Sequence, residues 1–487
     1  MRADGEGGFV AMGSMAKITL ELPDEVAAQV QEMLRRLEAT TKAAQAADGT
    51  PLNVDVALSR ITEATIAVGT EMKRRLVQGL DLEAQRVSIG GKRHTKVGRY
   101  EATYKTLEGE VKVTRNLYRP DGVRNGKTVD LVGARLGVVE DGWLPEAAAA
   151  MAFLLAQGTS RDAEATARAL KRLPYSRSSF ERVGHSVGSL HGIVRPEVET
   201  ALIERFELPA EAHSVSVSLD RVAMPMEEPR AKPRGRPKKG AAKRPVSFVY
   251  RMAYCGTVTV HDAQGRGLHT IRYGRMPKSD AKALSESLAA DVAALQTRCP
   301  QLKVCILTDG APELHGLLDN ALAEALPNVT IHRLVDFWHL VEKLGQAAAL
   351  IHGEAEGRHV VARWKLSLLN SRHAIGQLIE ALQRSGRCST RVGDARPVGD
   401  VLRYLRNHRE RMGYAAARAL GLPIGSGNVE ATCKSLVSLR FRRPGARWKE
   451  DSGQHVLDLR ALALSDRFHD AMSLTLAPLR REVRRAA

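Results

Sequence analysis

The stretch "HSVSVSLD", residues 213–220, decides how the centre of this 487-residue chain is interpreted. Its residues alternate between polar and apolar, which predicts a half-buried β-strand that ends at Asp220. Further along, "VSFVYRMAYCGTVTV" (246–260) and "LHTIRYG" (268–274) predict two more strands, separated by the turn-like "DAQGRG" (262–267). We therefore expect three consecutive antiparallel strands.

Helix and strand patterns then alternate. They predict in turn a helix, a strand, a helix and a strand: "SDAKALSESLAADVAALQTR" (279–298), "KVCILTDG" (303–310), "PELHGLLDNALAEAL" (312–326) and "VTIHRLVD" (329–336). The order βββαβαβ predicts a mixed five-stranded sheet of the α/β class, in which the first and fourth strands are neighbours. Asp220 and Asp309 would then share one edge of the sheet.

A third acid follows a long helical segment. Residues 340–425 contain helical patterns throughout, and the next stretch, "GLPIGSGNVEATCKSLVSLRFRRPGARWKEDSG" (421–453), predicts a loop and then a helix with Glu430 in its first turn. Taken singly, such acids serve as turn formers, helix caps or dipole partners. Together, on this element order, Asp220, Asp309 and Glu430 are candidate ligands for two Mg²⁺ ions, which favour carboxylate oxygens.

The composition indicates the partner. A formal charge of +18 favours a polyanion, and nucleic acid is a better candidate than a membrane because no apolar run approaches the ~20 residues of a spanning helix. The first residues lack the pattern of a signal peptide, so we expect a cytoplasmic, nucleoid-associated protein with residues 1–15 as a disordered extension. The five cysteines form no Cys-x-x-Cys pair, and we expect them to be reduced and mostly buried.

Several motifs resemble those of the ISKra-type insertion-sequence transposases of bacteria, relatives of the Mutator-like transposases. They are "SLD" (218–220), "LTDGAPEL" (307–314), "VDFWHLVEKL" (335–344), "GLPIGSGNVEATCKSLV" (421–437) and "RRPGARWK" (442–449), within about 213–470. The resemblance implies an RNase H-like fold with an all-helical insertion, in which Asp220, Asp309 and Glu430 bind catalytic Mg²⁺, with Mn²⁺ as a substitute.

The resemblance also gives Asp336 and His339 a role, because they match an Asp-x-x-His pattern whose histidine lies near the scissile phosphate. Asp336 as a helix N-cap with His339 three residues later is the ordinary alternative. Relatives often carry a cysteine-containing, zinc-binding segment after the equivalent of "NLYRP" (116–120), but this chain has "PDGVRNGKTVDL" (120–131) there. The absence of cysteine argues against a structural zinc in that region.

Two basic segments are candidate DNA contacts. The basic arm, 229–245, separates the first two predicted strands and contains "RGRP", which resembles the AT-hook core that enters the minor groove. Its basic residues are Arg230, Lys232, Arg234, Arg236, Lys238, Lys239, Lys243 and Arg244. The basic strip after the third acid comprises Lys434, Arg440, Arg442, Arg443, Arg447, Trp448 and Lys449, with Trp448 either stacking on a base or buried. A solvated loop is the alternative for the arm.

The N-terminal part, 16–200, predicts an α+β region for DNA binding and assembly. Helical spacing at 24–47 and 54–79 is followed by a β-hairpin in "GRYEATYKTLEGEVKVTRNLYRP" (98–120). Two short helical patterns in 160–188 fit either a helix-turn-helix or two packed helices without DNA contact. The remaining divisions that we predict are a first catalytic part at 213–339, an insertion at 340–425 and a second catalytic part at 426–487.

These features favour a DNA transposase that cleaves at element ends and transfers the 3′-hydroxyl to target DNA by metal-dependent phosphoryl transfer. We expect double-stranded DNA as the partner, and a homodimer or larger assembly on DNA, because two ends must be joined to one target. Two alternatives remain: a DNA-binding regulator that does not cleave, derived from a transposase, and a structure-selective nuclease on the same fold.

Overall fold

The structure, a computed structural model, describes residues 24–43, 54–123, 125–228, 247–279, 281–385 and 396–486. The basic arm and Cys388 therefore lie outside the described residues. In these ranges no helix has the length and apolar character needed to cross a membrane. Cys255, Cys305 and Cys433 are buried, and none of the described cysteines forms a disulfide.

The N-terminal region contains two helices, then strands, then four more helices. They are α1 (Asp24–Ala43), α2 (Val54–Gly79), β1 (Arg86–Ile89), β2 (Lys92–Lys105), β3 (Glu110–Pro120), β4 (Val129–Asp130), α3 (Leu131–Leu136), α4 (Pro145–Gln157), α5 (Ser160–Ala169) and α6 (Arg177–Arg205). The predicted β-hairpin is present as β2 and β3, whose register begins at Lys105 opposite Glu110. The region is α+β, as expected.

Helix α6 differs from the short second helix expected there, because it runs for 29 residues. Its apolar positions continue at helical spacing, and Phe180, Val187 and Leu202 are all buried. Gly184 is required by close packing, since a Cβ at this position would lie 2.6 Å from the Leu155 side chain of α4. The two helices α5 and α6 are packed elements of a core, and the structure leaves their contact with DNA as a prediction.

The central sheet has the predicted strand order. Its elements are β5 (Ser214–Glu227), β6 (Phe248–His261), β7 (Gly267–Arg275), α7 (Ala281–Arg298), β8 (Lys303–Thr308), α8 (Pro312–Ala325) and β9 (Ile331–Val335). The strands lie in the order β7-β6-β5-β8-β9; β5, β6 and β7 are antiparallel, while β8 is parallel to β5 and β9. The first and fourth strands are therefore neighbours, and the sheet is RNase H-like.

Strand β5 continues past Asp220, where the sequence pattern placed its end. It pairs with β6 as far as Glu227, opposite Phe248, and its outer half buries Met224 and Met226. The backbone carbonyl of Pro225 accepts a hydrogen bond from the Trp448 amide (N···O 3.1 Å), on the edge of β5 that faces away from β6. Because the nitrogen and carbonyl of one strand residue face the same edge, the pairing of β5 with β6 does not need the N–H that proline lacks. The extended β5–β6 ribbon carries the basic arm at its tip, and Asp220 lies at its base.

The segment after β9 is helical in every part that the structure describes. It contains α9 (Phe337–His352), α10 (Glu354–Asn370), α11 (Ala374–Arg384), α12 (Arg396–His408) and α13 (Tyr414–Ala419), with a 3₁₀ turn at Arg409–Arg411. Apolar side chains from these helices form a core of their own around Phe337, Leu344 and Leu405. The all-helical insertion between the second and third acids is thus present.

The C-terminal part returns to the sheet and to the N-terminal region. It contains α14 (Gly427–Thr432), a π-helical turn (Cys433–Ser438), α15 (Leu439–Phe441), α16 (Glu450–Leu464), α17 (Phe468–Leu476) and β10 (Val483–Arg485). β10 pairs with β1 and completes a second sheet, β10-β1-β2-β3-β4. Leu459 and Met472 of α16 and α17 share one hydrophobic core with Met151 and Phe180 of α4 and α6. Residues before and after the central sheet therefore pack together.

Candidate active site

Asp220 and Asp309 lie at the same level of the central sheet. The parallel register pairs Val217 of β5 with Ile306 of β8, and three residues further along each chain are Asp220 and Asp309. Asp309 follows the last residue of β8 directly, and its Oδ1 accepts the amide N–H of Ala311 at 2.9 Å. The two acids therefore share the edge at which β8 ends, as predicted.

The side chain of Asp220 is half-buried, and neighbouring groups shift its pKa. Burial raises the pKa of Asp220 above its ordinary value, and the Asp309 carboxylate raises it further, although the Arg221 amide donates to Asp220 Oδ1 at 2.7 Å and opposes the rise. A neighbouring carboxylate disfavours ionisation of an acid, because like charges repel. Asp220 and Asp309 are therefore close enough to interact electrostatically, and their negative charge attracts cations.

Glu430 reaches the same region from the helix that packs beneath the β5–β6 ribbon. Burial raises the pKa of Glu430, the carboxylates of Asp336 and Asp220 add to the rise, and His339 opposes it. One turn later, the Cys433 thiol donates to Asp220 Oδ2 at 3.5 Å. The helix is π-helical from Cys433 onward, an irregularity that is frequent at functional sites. Glu430 thus lies on a helix that packs against the strand of Asp220, and its pKa responds to that carboxylate.

Asp336 connects β9 to the loop before Glu430. Its Oδ1 accepts the amide N–H of His339 at 2.6 Å, which makes it the N-cap of α9, and its Oδ2 accepts the amide N–H of Ser426. Only 1% of Asp336 is exposed. These contacts are those of the N-cap alternative, and they assign Asp336 a positioning role toward Glu430. A role for His339 at the scissile phosphate stays a prediction.

The helical insertion contributes a residue that no sequence pattern indicated. Tyr404 of α12 donates its O–H to the backbone carbonyl of Asp309 at 2.8 Å, and its ring lies 4.6 Å from that of His408. Burial, and then the Asp309 and Asp336 carboxylates, raise the pKa of Tyr404, so the hydroxyl remains a neutral donor. Tyr404 therefore fixes the backbone beside the second acid.

Gly310 shows how tight this contact is. Its φ of +100° is one that other residues rarely adopt, and a Cβ there would lie 3.0 Å from the Tyr404 hydroxyl and 3.2 Å from His408 Nε2. Glycine is thus required both by the backbone conformation and by the insertion. The Asp309–Gly310 turn is clamped between β8 and α12.

The residue types suit a divalent cation, because Mg²⁺ and Mn²⁺ bind carboxylate oxygens and neutralise the repulsion between neighbouring acids. In the ranges that the structure describes, no group of three or more His, Cys, Asp or Glu side chains is arranged so that it could hold a metal ion. Cation binding therefore requires the carboxylates of Asp220, Asp309 and Glu430 to turn toward one another, and the cation would remove the repulsion that opposes this.

The basic strip divides into exposed and packed residues. Lys434, Arg442, Arg443, Arg447 and Lys449 are exposed, and Arg443 pairs with Asp162 of α5 at 2.6 Å. Arg440 differs, because it is 5% exposed, donates to the Leu155 carbonyl and lies 4.9 Å from the Trp448 ring. Trp448 packs on Phe441 and donates to its carbonyl. Both residues are thus held by packing, whereas Lys434, Arg442 and Lys449 are exposed and remain the candidates for contact with phosphate.

The eight cations predicted for the basic arm lie outside the described residues: Arg230, Lys232, Arg234, Arg236, Lys238, Lys239, Lys243 and Arg244. The nearest described residues on its two sides are Glu228 and Ser247, and the Glu228 amide donates to the Ser247 carbonyl at 3.0 Å. The arm therefore leaves from the tip of the ribbon whose base carries Asp220.

The raised pKa of Asp220 gives a stability prediction for Asp220→Asn. An acid whose pKa is higher in the folded than in the unfolded chain weakens the fold once pH exceeds its unfolded value, and the penalty is complete above the folded pKa. We expect Asp220→Asn to raise Tm by about 2 °C at pH 8, and by less at pH 5. Mg²⁺ should raise the Tm of the unmodified protein and not that of the variant.

Asp262→Asn is the matched control, because the Asp262 carboxylate accepts hydrogen bonds from Arg266 and Gln264 and the substitution removes stabilising contacts. Its Tm should fall. A fall in Tm for Asp220→Asn as well would contradict the proposed charge repulsion at the site.

The strand order defines an RNase H-like sheet, in which Asp220 lies within β5 and Asp309 directly follows β8 at the same level. No protein-family model matches the chain, and no curated protein matches it. Among solved structures it is similar to one described as "Mos1 transposase paired-end complex with left transposon end" (13% identity, TM-score 0.16, 57% of this chain and 80% of that one).

A second similar structure is described as "Crystal structure of the Mos1 mariner paired end complex with Mn" (16% identity, TM-score 0.15, 45% of this chain and 61% of that one). This chain thus spans less than two thirds of the second structure's length. TM-scores this low reflect little shared geometry, so the strand order defines the fold, and the contacts described above define the site.

Proposed function

We propose that this protein is a DNA transposase of the ISKra type, which cleaves DNA at insertion-sequence ends and joins the freed 3′-hydroxyl to target DNA. The observation that supports the proposal is the RNase H-like strand order, which sets Asp220 and Asp309 at the same level of neighbouring strands, with the helix of Glu430 packed against β5 and β6. The net charge of +18 and the exposed cations near the site support DNA as the partner.

The chemistry consists of two in-line displacements at phosphorus. Water attacks the phosphodiester at the element end and the bond to the 3′-oxygen breaks; the 3′-hydroxyl then attacks a target phosphodiester and displaces its bridging oxygen. Asp220, Asp309 and Glu430 would hold two Mg²⁺ or Mn²⁺ ions, which when bound neutralise charge that develops on the phosphoryl oxygens.

The protein's own residues position these groups. Tyr404 fixes the backbone of Asp309, and Asp336 fixes the loop before Glu430. The exposed Lys434 and Arg442 neutralise DNA phosphates, and the basic arm holds the duplex beside the site. We further propose assembly as at least a dimer on paired DNA ends, and a cytoplasmic, nucleoid-associated location.

Incubation of the protein with Mg²⁺, duplexes that carry candidate element ends and a supercoiled target plasmid tests the function. We expect nicks with 3′-hydroxyl ends and joined products of end and plasmid. Cleavage without joining would favour a structure-selective nuclease. Binding without either product, at every end tried, would favour the regulator that does not cleave.

A further inference from the structure

The helical insertion and the edge strand β9 enclose a cleft of about 870 Å³, which we call the insertion cleft. It lies outside the acid cluster, between Ile331–Leu334 on one side and the segment from Arg406 to Leu422 on the other. Its lining includes the cationic or titratable side chains of His332, Arg333, Arg406, His408, Arg409 and Arg411, and Glu410 is the one acid that lines it among the described residues. The cleft is therefore strongly basic.

The charges of this lining are only partly neutralised. Arg333 pairs with Asp319 at 2.6 Å, which leaves little of its charge for a ligand. Arg406 and Arg409 are exposed, and within the described ranges neither lies within 4.0 Å of an acidic oxygen. The lining thus contains cations whose counter-ion must come from outside the described residues.

Arg411 is the most unusual of these cations. Its Nη2 lies 2.6 Å from His408 Nδ1, while its Nη1 is buried and has no hydrogen-bond partner among the described residues. Arg411 is only partly buried, but a buried donor that is left unsatisfied is costly. An anion in the cleft could accept from this donor, and guanidinium groups match phosphate oxygens particularly well.

The insertion cleft begins beside the second acid. His408, which lines the cleft, has its Nε2 3.2 Å from the position of a Cβ on Gly310, the residue after Asp309. Its neighbour Tyr404, one turn earlier on α12, holds the Asp309 carbonyl. A nucleic-acid strand with one phosphate at the acids could therefore continue past this histidine into the cleft.

We propose that the insertion cleft binds the phosphate groups of a DNA strand that extends from the active site, with Arg406, Arg409 and Arg411 as its ligands. This inference rests on the proposed function for the identity of the strand. The insertion then serves two purposes: it clamps the Asp309–Gly310 turn, and it holds the DNA strand beyond that turn.

The double variant Arg406→Gln/Arg409→Gln tests the proposal, because both side chains are exposed and the fold should persist. The matched control is Arg363→Gln/Arg384→Gln, which removes the same charge from two exposed arginines of the same insertion outside the cleft. Both are placed in a Glu430→Gln background to prevent cleavage. Fluorescence anisotropy with a labelled duplex over a series of KCl concentrations gives the affinity and its salt dependence.

We expect the affinity of the cleft variant for DNA to be roughly tenfold lower, or more, at about 0.1 M salt. The plot of log binding constant against log salt concentration has a negative slope, and its magnitude should decrease by about 1.8. The control should keep the wild-type slope. Equal slopes in the two variants would overturn the proposal, whether or not the unmodified protein cleaves DNA in the transposition assay. The two failures are therefore distinguishable.

Calorimetric titration with inorganic phosphate separates DNA backbone from a free phosphate ligand. If the cleft takes a DNA strand, inorganic phosphate should bind weakly and equally to the cleft variant and the control. Loss of tight phosphate binding in the cleft variant, with unchanged DNA binding, would identify a small phosphate ligand and overturn the DNA assignment.

Discussion

Glu430→Gln should abolish DNA cleavage and joining while leaving DNA binding nearly unchanged. The substitution keeps the shape of the side chain and removes one of three charges that the site brings together. Loss of about 4 kcal/mol of transition-state stabilisation corresponds to a roughly thousandfold slower reaction. Affinity for DNA should persist because lysine and arginine contacts to phosphate supply most of it. Single-turnover cleavage and anisotropy on the same preparation measure the two effects.

Glu342→Gln is the matched control for this prediction. Glu342 is an exposed acid of α9 that is close enough to contribute to the raised pKa of Glu430, yet it is not a candidate ligand. Its substitution changes the local charge by the same amount and should slow cleavage little. Wild-type cleavage by Glu430→Gln would remove Glu430 from the site and with it the transposase assignment.

Gly310→Ala should slow cleavage by about a hundredfold, the scale expected for displacement of a catalytic group by about 1 Å. The new Cβ would meet the Tyr404 hydroxyl and His408, and alanine is strained at a φ of +100°. Relief of this strain requires movement of the backbone that carries Asp309. The cleavage rate and the Mg²⁺ concentration needed for half-maximal activity are measured for the variant and for the unmodified protein. The differences report the displacement of Asp309.

Gly316→Ala provides the corresponding control in α8. A Cβ at Gly316 meets no atom within 4 Å, so this change should be neutral or stabilise the helix by up to about 1 kcal/mol. If Gly310→Ala retained full activity at ordinary Mg²⁺ concentrations, the Asp309 turn would not depend on its contact with the insertion.

The sequence predicted the catalytic sheet well because strand alternation and helix spacing are local signals. The neighbouring positions of β5 and β8 followed from element order alone, and so did the shared edge of Asp220 and Asp309. The outer half of β5 was missed because Pro225 usually ends a strand; here the structure orients its nitrogen away from β6. Local composition cannot show which edge of a strand lacks a neighbouring strand and can therefore accept a proline.

The contacts made by the insertion could not be predicted in the same way. Tyr404 and Asp309 are 95 residues apart, and the hydrogen bond between them depends on how α12 packs against the sheet. Arg440 shows the converse, because the sequence suggested a DNA contact for it as one of a run of cations. In the structure its guanidinium lies between Trp448 and the Leu155 carbonyl. The long apolar stem of arginine permits either location.

The core shared by α4, α6, α16 and α17 affects how the protein folds during its synthesis on the ribosome. The apolar faces of α4 and α6 emerge early and stay uncovered until Leu459 and Met472 have been synthesised, and β1 waits longer still for β10. Such nascent chains are the kind that chaperones protect. Glu430 is also synthesised late, so a nascent chain that ends before Glu430 lacks one of the three acids that the proposed cutting of DNA requires.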